Sequence, residues 1–311
     1  VVLTPEAVGL LSNNDIQVVV ESGAGLNAKF SDQDYSDAGA KIVYSRKEVL
    51  AMDVVLKVDP LTIEEIAEMS QGSCLISALQ LEKQDAEFIK ALNEKKITAV
   101  AFEYLEDKVG GMPVVRAMSE IAGSTVMLIA SEYLSSVNEG KGLILGGVTG
   151  VPPTQVVIIG AGTVAEYAAR TAIGLGASVR VFDNSLSKLR RLHTLIDSRV
   201  PTSIIDPKEL KKALRRADVV IGALPRLNMP YVVTEDMVKA MKKGSVIIDL
   251  TIDYGGCIET TEVTTHENPV IIKHEILHCG LPNLSSRMPR TTTKAISNFF
   301  LSYLLNYDEE G

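Results

Sequence analysis

The sequence predicts an α/β chain of two domains, each a Rossmann-like, doubly wound parallel sheet, with a cleft between them. Three observations predict it. Short β-branched runs alternate with amphipathic stretches along the chain. A Gly- and Pro-rich stretch, Gly146-Gly147-Val148-Thr149-Gly150-Val151-Pro152-Pro153, separates two such series. Finally, 311 residues exceed what one ordinary core organises and are comfortable for two.

In the first series, residues 16–20, 41–44, 53–58, 74–79 and 97–102 read as strands with helices between them. Helical spacing of Ile121, Val126, Ile129 and Tyr133 predicts an interdomain helix from about 118 to 137. The second series predicts strands at 155–159, 178–182, 218–224, 245–250 and 270–273. From about 291 to 307 the pattern turns helical again, with Ile296, Phe299, Phe300, Tyr303 and Leu304 on one broad apolar face. That helix is expected to return to the first domain, giving a discontinuous domain of residues 1–125 plus 291–311 around a second domain of 126–290.

Composition narrows the function classes. A formal charge of -8, without any block of Lys or Arg, argues against a nucleic-acid or membrane-surface partner, so small molecules are the expected ligands. No apolar run reads as long enough to cross a bilayer, and no signal peptide is visible after Val1. Cys74, Cys257 and Cys279 form no CxxC pair, so neither a disulfide framework nor a metal site is expected, and a cytoplasmic location fits.

Gly160-Ala161-Gly162-Thr163-Val164-Ala165 is a GxGxxA match placed after an apolar strand and before a good helix. Gly160 allows the tight turn, Gly162 lets the backbone approach a pyrophosphate, and Ala165 permits close helix–strand contact. The amides around Thr163 and Val164 then face the anion at the helix N-terminus. A second strand ends at Asp183, near the expected spacing for a carboxylate that accepts from the adenosine ribose and repels a 2′-phosphate. NAD is therefore expected rather than NADP. Arg180, Lys188, Arg190 and Arg191 argue the other way unless they form a solvated face.

Beyond this turn, segments along the whole chain resemble the alanine dehydrogenase family, which shares its architecture with the NAD-binding subunit of transhydrogenase. The segments are Leu3-Thr4-Pro5-Glu6-Ala7-Val8, Glu21-Ser22-Gly23-Ala24-Gly25-Leu26, Leu56-Lys57-Val58, Met118-Ser119-Glu120-Ile121-Ala122-Gly123, Gly146 to Val151, Ile252-Asp253-Tyr254-Gly255-Gly256-Cys257-Ile258-Glu259 and Pro289-Arg290-Thr291. The resemblance implies that Lys57 binds and polarises the substrate and that Asp253 is the catalytic carboxylate. By the same resemblance, Ser119 and an adjacent turn contact the nicotinamide end, Asn283 lines the cleft, and the protein is a homo-oligomer.

The sequence departs from that pattern where the family carries a general acid–base His. Here the run is Leu75-Ile76-Ser77-Ala78-Leu79-Gln80-Leu81, and Gln80 hydrogen-bonds but does not shuttle protons near neutrality. Either Gln80 only orients the substrate carbonyl, or another group such as His278 substitutes, or alanine is not the substrate. His193, His266 and His274 read as structural or exposed. The family's substrate-carboxylate Arg belongs before Val1, and the loop 225–230 is shorter than its counterpart beside the cofactor. The expected function is reversible oxidative deamination of a small L-amino acid, alanine to pyruvate and ammonia. The alternatives are an opine- or saccharopine-type dehydrogenase with another amino acid or 2-oxo acid, and an NAD-binding protein without catalysis.

Overall fold

A computed structural model describes residues 1–196, 200–225 and 230–305. The chain divides into two compact units, Val1–Met118 with the chain from Met288 onward, and Ser119–Arg287.

In the first unit the strands are β1 (Val19–Glu21), β2 (Lys41–Val43), β3 (Val54–Leu56), β4 (Cys74–Ser77) and β5 (Thr98–Ala101). All pair in parallel, β1 with β2 and β3-β4-β5 in that order. The expectation of one continuous sheet needs correcting, since among the described residues no ladder joins β1 to β3. Strands of three or four residues close few bonds each, so side-chain packing carries the unit. Tyr35, Phe30, Phe102, Ile296 and Phe300 lie in one core, and Ile66, Met69, Leu75 and Phe88 in the other. The helix Pro289–Leu305 brings Ile296 and Phe300 to the first of these. Arg290 donates to the carbonyls of Ala28 and Lys29 and lies 4.2 Å from the centroid of the Phe30 ring.

The second unit holds β6 (Gln155–Ile159), β7 (Ser178–Phe182), β8 (Thr202–Ser203), β9 (Val219–Gly222), β10 (Val246–Asp249), β11 (Ile271–Lys273) and β12 (Ile276–Cys279). They form one sheet in the order β11-β12-β10-β9-β6-β7-β8, parallel except for β11. Burial on both faces follows the period of two: Val156, Ile158, Val219, Ile221, Val246 and Ile248 face one core, and Val157, Ile159, Val220 and Ile247 face the other. Because β6 pairs with β7 on one side and β9 on the other, the strand order reverses at the end of β6, where such sheets bind ligands.

Strands β8 and β12 lie outside the sequence expectation. β8 spans two residues, too few to show a period. The β11–β12 hairpin turns through His274 and Glu275, both at positive φ (53° and 61°), without the Asn-Gly signal that usually marks such a turn. At the opposite end of the strands, Asp218 accepts from the Gln155 amide and from the ammonium groups of Lys141 and Lys242.

The long helix runs Pro113–Leu134, starting earlier than its spacing predicts. By length and composition it is apolar enough to cross a bilayer, which corrects the reading that no run reaches that length, and its Val126, Met127, Ile129 and Leu134 are buried in the second unit. Gly123, a poor helix former, sits within it because a Cβ there would lie 2.4 Å from the Val164 carbonyl oxygen.

Candidate functional site

The turn after β6 has the shape its glycines require. Gly160 stands at φ +114°, and a Cβ there would meet the Ala223 carbonyl oxygen at 2.4 Å, so only glycine fits against the end of β9. Gly162 caps the helix Thr163–Gly174 without a side-chain bond, and a Cβ at Gly162 would meet nothing within 4 Å. The space beside Gly162 is therefore open where the helix begins, Thr163 and Val164 are half-buried, and the first amides form the positive end of that helix. A bare main-chain cradle of this kind fits the pyrophosphate of a dinucleotide.

Asp183 departs from the simple expectation of a sugar-facing carboxylate. It is only 2% exposed, with Oδ2 accepting from the Ala161 amide at 2.7 Å and Oδ1 from the Ser185 amide at 2.7 Å. Its visible work is to tie the glycine turn to the end of β7. A carboxylate has about four lone-pair sites, so each oxygen retains acceptor capacity. Of the basic residues nearby, Arg180 donates through Nη2 to Ser203 and stacks on Phe182 while its Nε is buried without a partner, and Arg170 and Arg191 pair with Glu166. Lys188 and Arg190 lie on the exposed helix face that the sequence allows.

Lys57 directly follows β3, its amide bonded to the Ile76 carbonyl. Its ammonium donates to Glu65 Oε2 at 2.9 Å and to the Pro60 carbonyl at 3.3 Å. Glu65 is the residue the sequence reading missed. It closes a capping box with Thr62 and also receives Arg46 at 2.9 Å. Burial opposes its charge, but Lys57, the Thr62 amide and Arg46 together hold its carboxyl below the ordinary value. The Thr62-x-x-Glu65 pattern is legible as a helix start; the bond to Lys57 is not.

Gln80 follows β4 in the left-handed region, φ 48°. Glu103 holds this turn, accepting from the Gln80 amide at 2.7 Å and the Leu79 amide at 3.2 Å. This is a second carboxylate that no local sequence signal marks.

Asp253 lies exposed on the short turn Ile252–Tyr254 that follows β10, and its Oδ2 accepts from the Asn283 amide at 3.2 Å. The structure therefore brings Asp253 and Asn283 together, but through the Asn283 backbone, since its side-chain oxygen accepts from Ser285. Ser119 is half-buried within the helix Pro113–Leu134, which corrects the expectation of an adjacent turn. Residues 226–229 of the short loop fall outside the described residues.

His278 lies on β12 and is fully buried, and its ring nitrogens contact the Ile276 carbonyl and the Thr260 hydroxyl. The carbonyl requires Nδ1–H, leaving Nε2 to accept from Thr260. Burial, the largest influence, lowers its pKa from 6.5 to about 4, so this neutral ring does not replace the proton shuttle. Because the folded value lies below the unfolded one, stability present above pH 6.5 is lost as pH falls toward 4. The loss through this group approaches about 3 kcal/mol. Urea titrations across this range should show a smaller pH slope for His278→Asn than for the parent; equal slopes would refute the assignment. Among the described residues no cluster of His, Cys, Asp or Glu could hold a metal ion.

Fold and turn together define a class, the two-unit α/β proteins with a dinucleotide-type turn at a strand-order reversal. The chain belongs to the alanine dehydrogenase/PNT family: the N-terminal domain of that family matches residues 1–122 and the C-terminal domain residues 126–311. It is 39% identical to the alanine dehydrogenase of Staphylococcus haemolyticus (strain JCSC1435), over 97% of this chain and 81% of that protein. With alanine dehydrogenase 2 of Staphylococcus aureus (strain USA300) the identity is 38%, over 99% of this chain and 84% of the relative. Among solved structures, an L-alanine dehydrogenase superposes with TM-score 0.93 at 36% identity, covering all of this chain and 86% of the other. A transhydrogenase from Sinorhizobium meliloti superposes with TM-score 0.85 at 25% identity, covering 97% and 88%.

Proposed function

We propose that this protein is an NAD-dependent alanine dehydrogenase, interconverting L-alanine, NAD and water with pyruvate, ammonium, NADH and a proton. The observation that carries the reading is the uncapped helix start at Gly162 with open space before it, in a chain whose near full-length relatives bear that enzyme name. The cofactor, when bound, would supply a hydride acceptor for the substrate Cα. The carboxylate of Asp183 at the end of β7 supports NAD over NADP, because its charge repels a 2′-phosphate placed there.

Lys57 holds and polarises the substrate carbonyl. Two of its three N–H donors go to Glu65 and Pro60, which leaves the third for a substrate oxygen. Asp253 stabilises the cationic imine and positions the water that hydrolyses it. Gln80 orients the carbonyl without transferring a proton, and Ser119 and Asn283 line the nicotinamide and substrate ends. We further infer a cytoplasmic homo-oligomer. Three free thiols support the compartment, and the exposed Val148 and Val151 on their small antiparallel bridge support the assembly.

The test is NADH-dependent amination of pyruvate by ammonia, beside a panel of other 2-oxo acids and amines and beside NADPH. Turnover with pyruvate and ammonia, at least tenfold faster with NADH than NADPH, is expected. A Gln80→His variant should be faster still, since a positioned acid–base group contributes about 10² to 10⁴ in rate. NADH binding without turnover on any pair would sink the proposal. Light scattering on the same preparation should give a multiple of the chain mass of 33.5 kDa, and a monomer would remove the oligomer.

A further inference from the structure

We propose that Asp249, buried at the end of β10, is the positioning residue that holds Asp253 for chemistry; this rests on the reading of Asp253 given above. The side chain is fully buried and engaged by four donors. Oδ1 accepts from the Thr251 amide at 2.9 Å and the Thr251 hydroxyl at 2.7 Å. Oδ2 accepts from the Cys257 amide at 2.8 Å and the Ile258 amide at 3.1 Å. One carboxylate thereby grips both ends of the segment whose tip carries Asp253.

The tip is closed on itself by bonds from the Tyr254 and Gly256 amides to the Thr251 carbonyl and from the Gly255 amide to the Ile252 carbonyl. The surrounding backbone is shaped to admit the carboxylate. A Cβ at Gly256 would lie 2.9 Å from Asp249 Oδ2, and one at Gly222 would lie 3.0 Å from Oδ1. Asp253 is exposed, and apart from the bond its Oδ2 accepts from the Asn283 amide, its place is inherited from this knot rather than from packing around its own side chain. Burying a carboxylate is costly unless donors surround it, and charge-assisted bonds are stiffer than neutral ones, which suits a loop that must hold a reacting group. Asparagine cannot substitute: whichever way its amide is turned, the NH₂ confronts donors.

The test compares Asp249→Asn, Thr251→Val and Asp253→Asn with the parent. Thr251→Val removes one donor and serves if Asp249→Asn does not fold. Three quantities are read: hydrogen exchange at the Cys257 and Ile258 amides, NADH affinity by fluorescence, and kcat and KM for pyruvate. In Asp249→Asn the two amides should exchange at least tenfold faster and kcat should fall about 10- to 100-fold, as small misplacements of reacting groups do. NADH affinity and the KM for pyruvate should stay within threefold. Thr251→Val should move exchange and kcat in the same direction by less. Unchanged exchange in both variants overturns the clamp. Faster exchange with parental kcat, while Asp253→Asn is inactive, overturns the positioning role and leaves Asp253 standing. Parental kcat in Asp253→Asn overturns the reading of Asp253 itself, a failure distinct from the first because the exchange rates alone decide it.

Discussion

Lys57→Ala is expected to lower kcat/KM for pyruvate by about 10² to 10³, the usual cost of deleting one preorganised electrostatic donor at a reacting oxygen. The geometry supports an effect on rate more than on folding. Glu65 keeps Arg46 at 2.9 Å and its own capping bonds to Thr62, so removal of Lys57 does not leave a buried carboxylate unpaired. NADH affinity should therefore be nearly unchanged, because the glycine turn belongs to the other unit. Lys57→Arg should not rescue the rate, since a planar guanidinium cannot repeat a point charge shared between Glu65, Pro60 and a third acceptor. Initial rates at saturating NADH decide the matter. A rate within threefold of the parent would remove Lys57 from the chemistry.

Gly160→Ala should be the most damaging single-methyl change at the turn, and Gly162→Ala its control. At Gly160 the new Cβ meets backbone atoms of Ala223, the carbonyl oxygen at 2.4 Å and its carbon at 2.7 Å, and φ is +114°. Neither strand can yield cheaply, because β6 and β9 are paired over four residues in the middle of the sheet. Backbone strain and overpacking of this kind each cost about 1 to 3 kcal/mol, so a loss of about 2 to 6 kcal/mol is expected. NADH affinity should fall about 100-fold or more as the turn is displaced. At Gly162 the methyl meets nothing, so stability should hold while affinity alone weakens. Urea denaturation and NADH titration separate the two. Equal stability of both variants would show that Gly160 does not face the end of β9.

What the sequence discloses and what it hides divide along a physical line. The second unit is legible because its central strands are buried on both faces: β6 reads as an apolar run from Val156 onward, and β6 and β7 have the bounds the sequence predicts. Strands β8 and β12 are not, one being too short and the other entered through His274 and Glu275 rather than a recognisable turn pair. Among the expected site residues, Gly160 and Gly162 stand out by spacing, and Lys57 and Asp253 by resemblance. The acceptors that bond Lys57, the turn at Gln80 and the segment carrying Asp253 do not. Glu65, Glu103 and Asp249 act on backbone amides and side chains up to 24 residues away, contacts that leave no periodic trace. Asp183 stands out in the sequence as a ribose-binding carboxylate, whereas its two short bonds go to main-chain amides.

Three aspartates of the second unit, Asp183, Asp218 and Asp249, each receive backbone amides and lie almost wholly out of contact with solvent. Asp253, Asn283 and the Lys188–Arg190 face lie outside this scaffold and are exposed. The backbone that presents these outward side chains is therefore fixed by the inner acceptors and not by the side chains themselves. Gln80 is held the same way in the first unit, on a turn that Glu103 grips only through main-chain atoms.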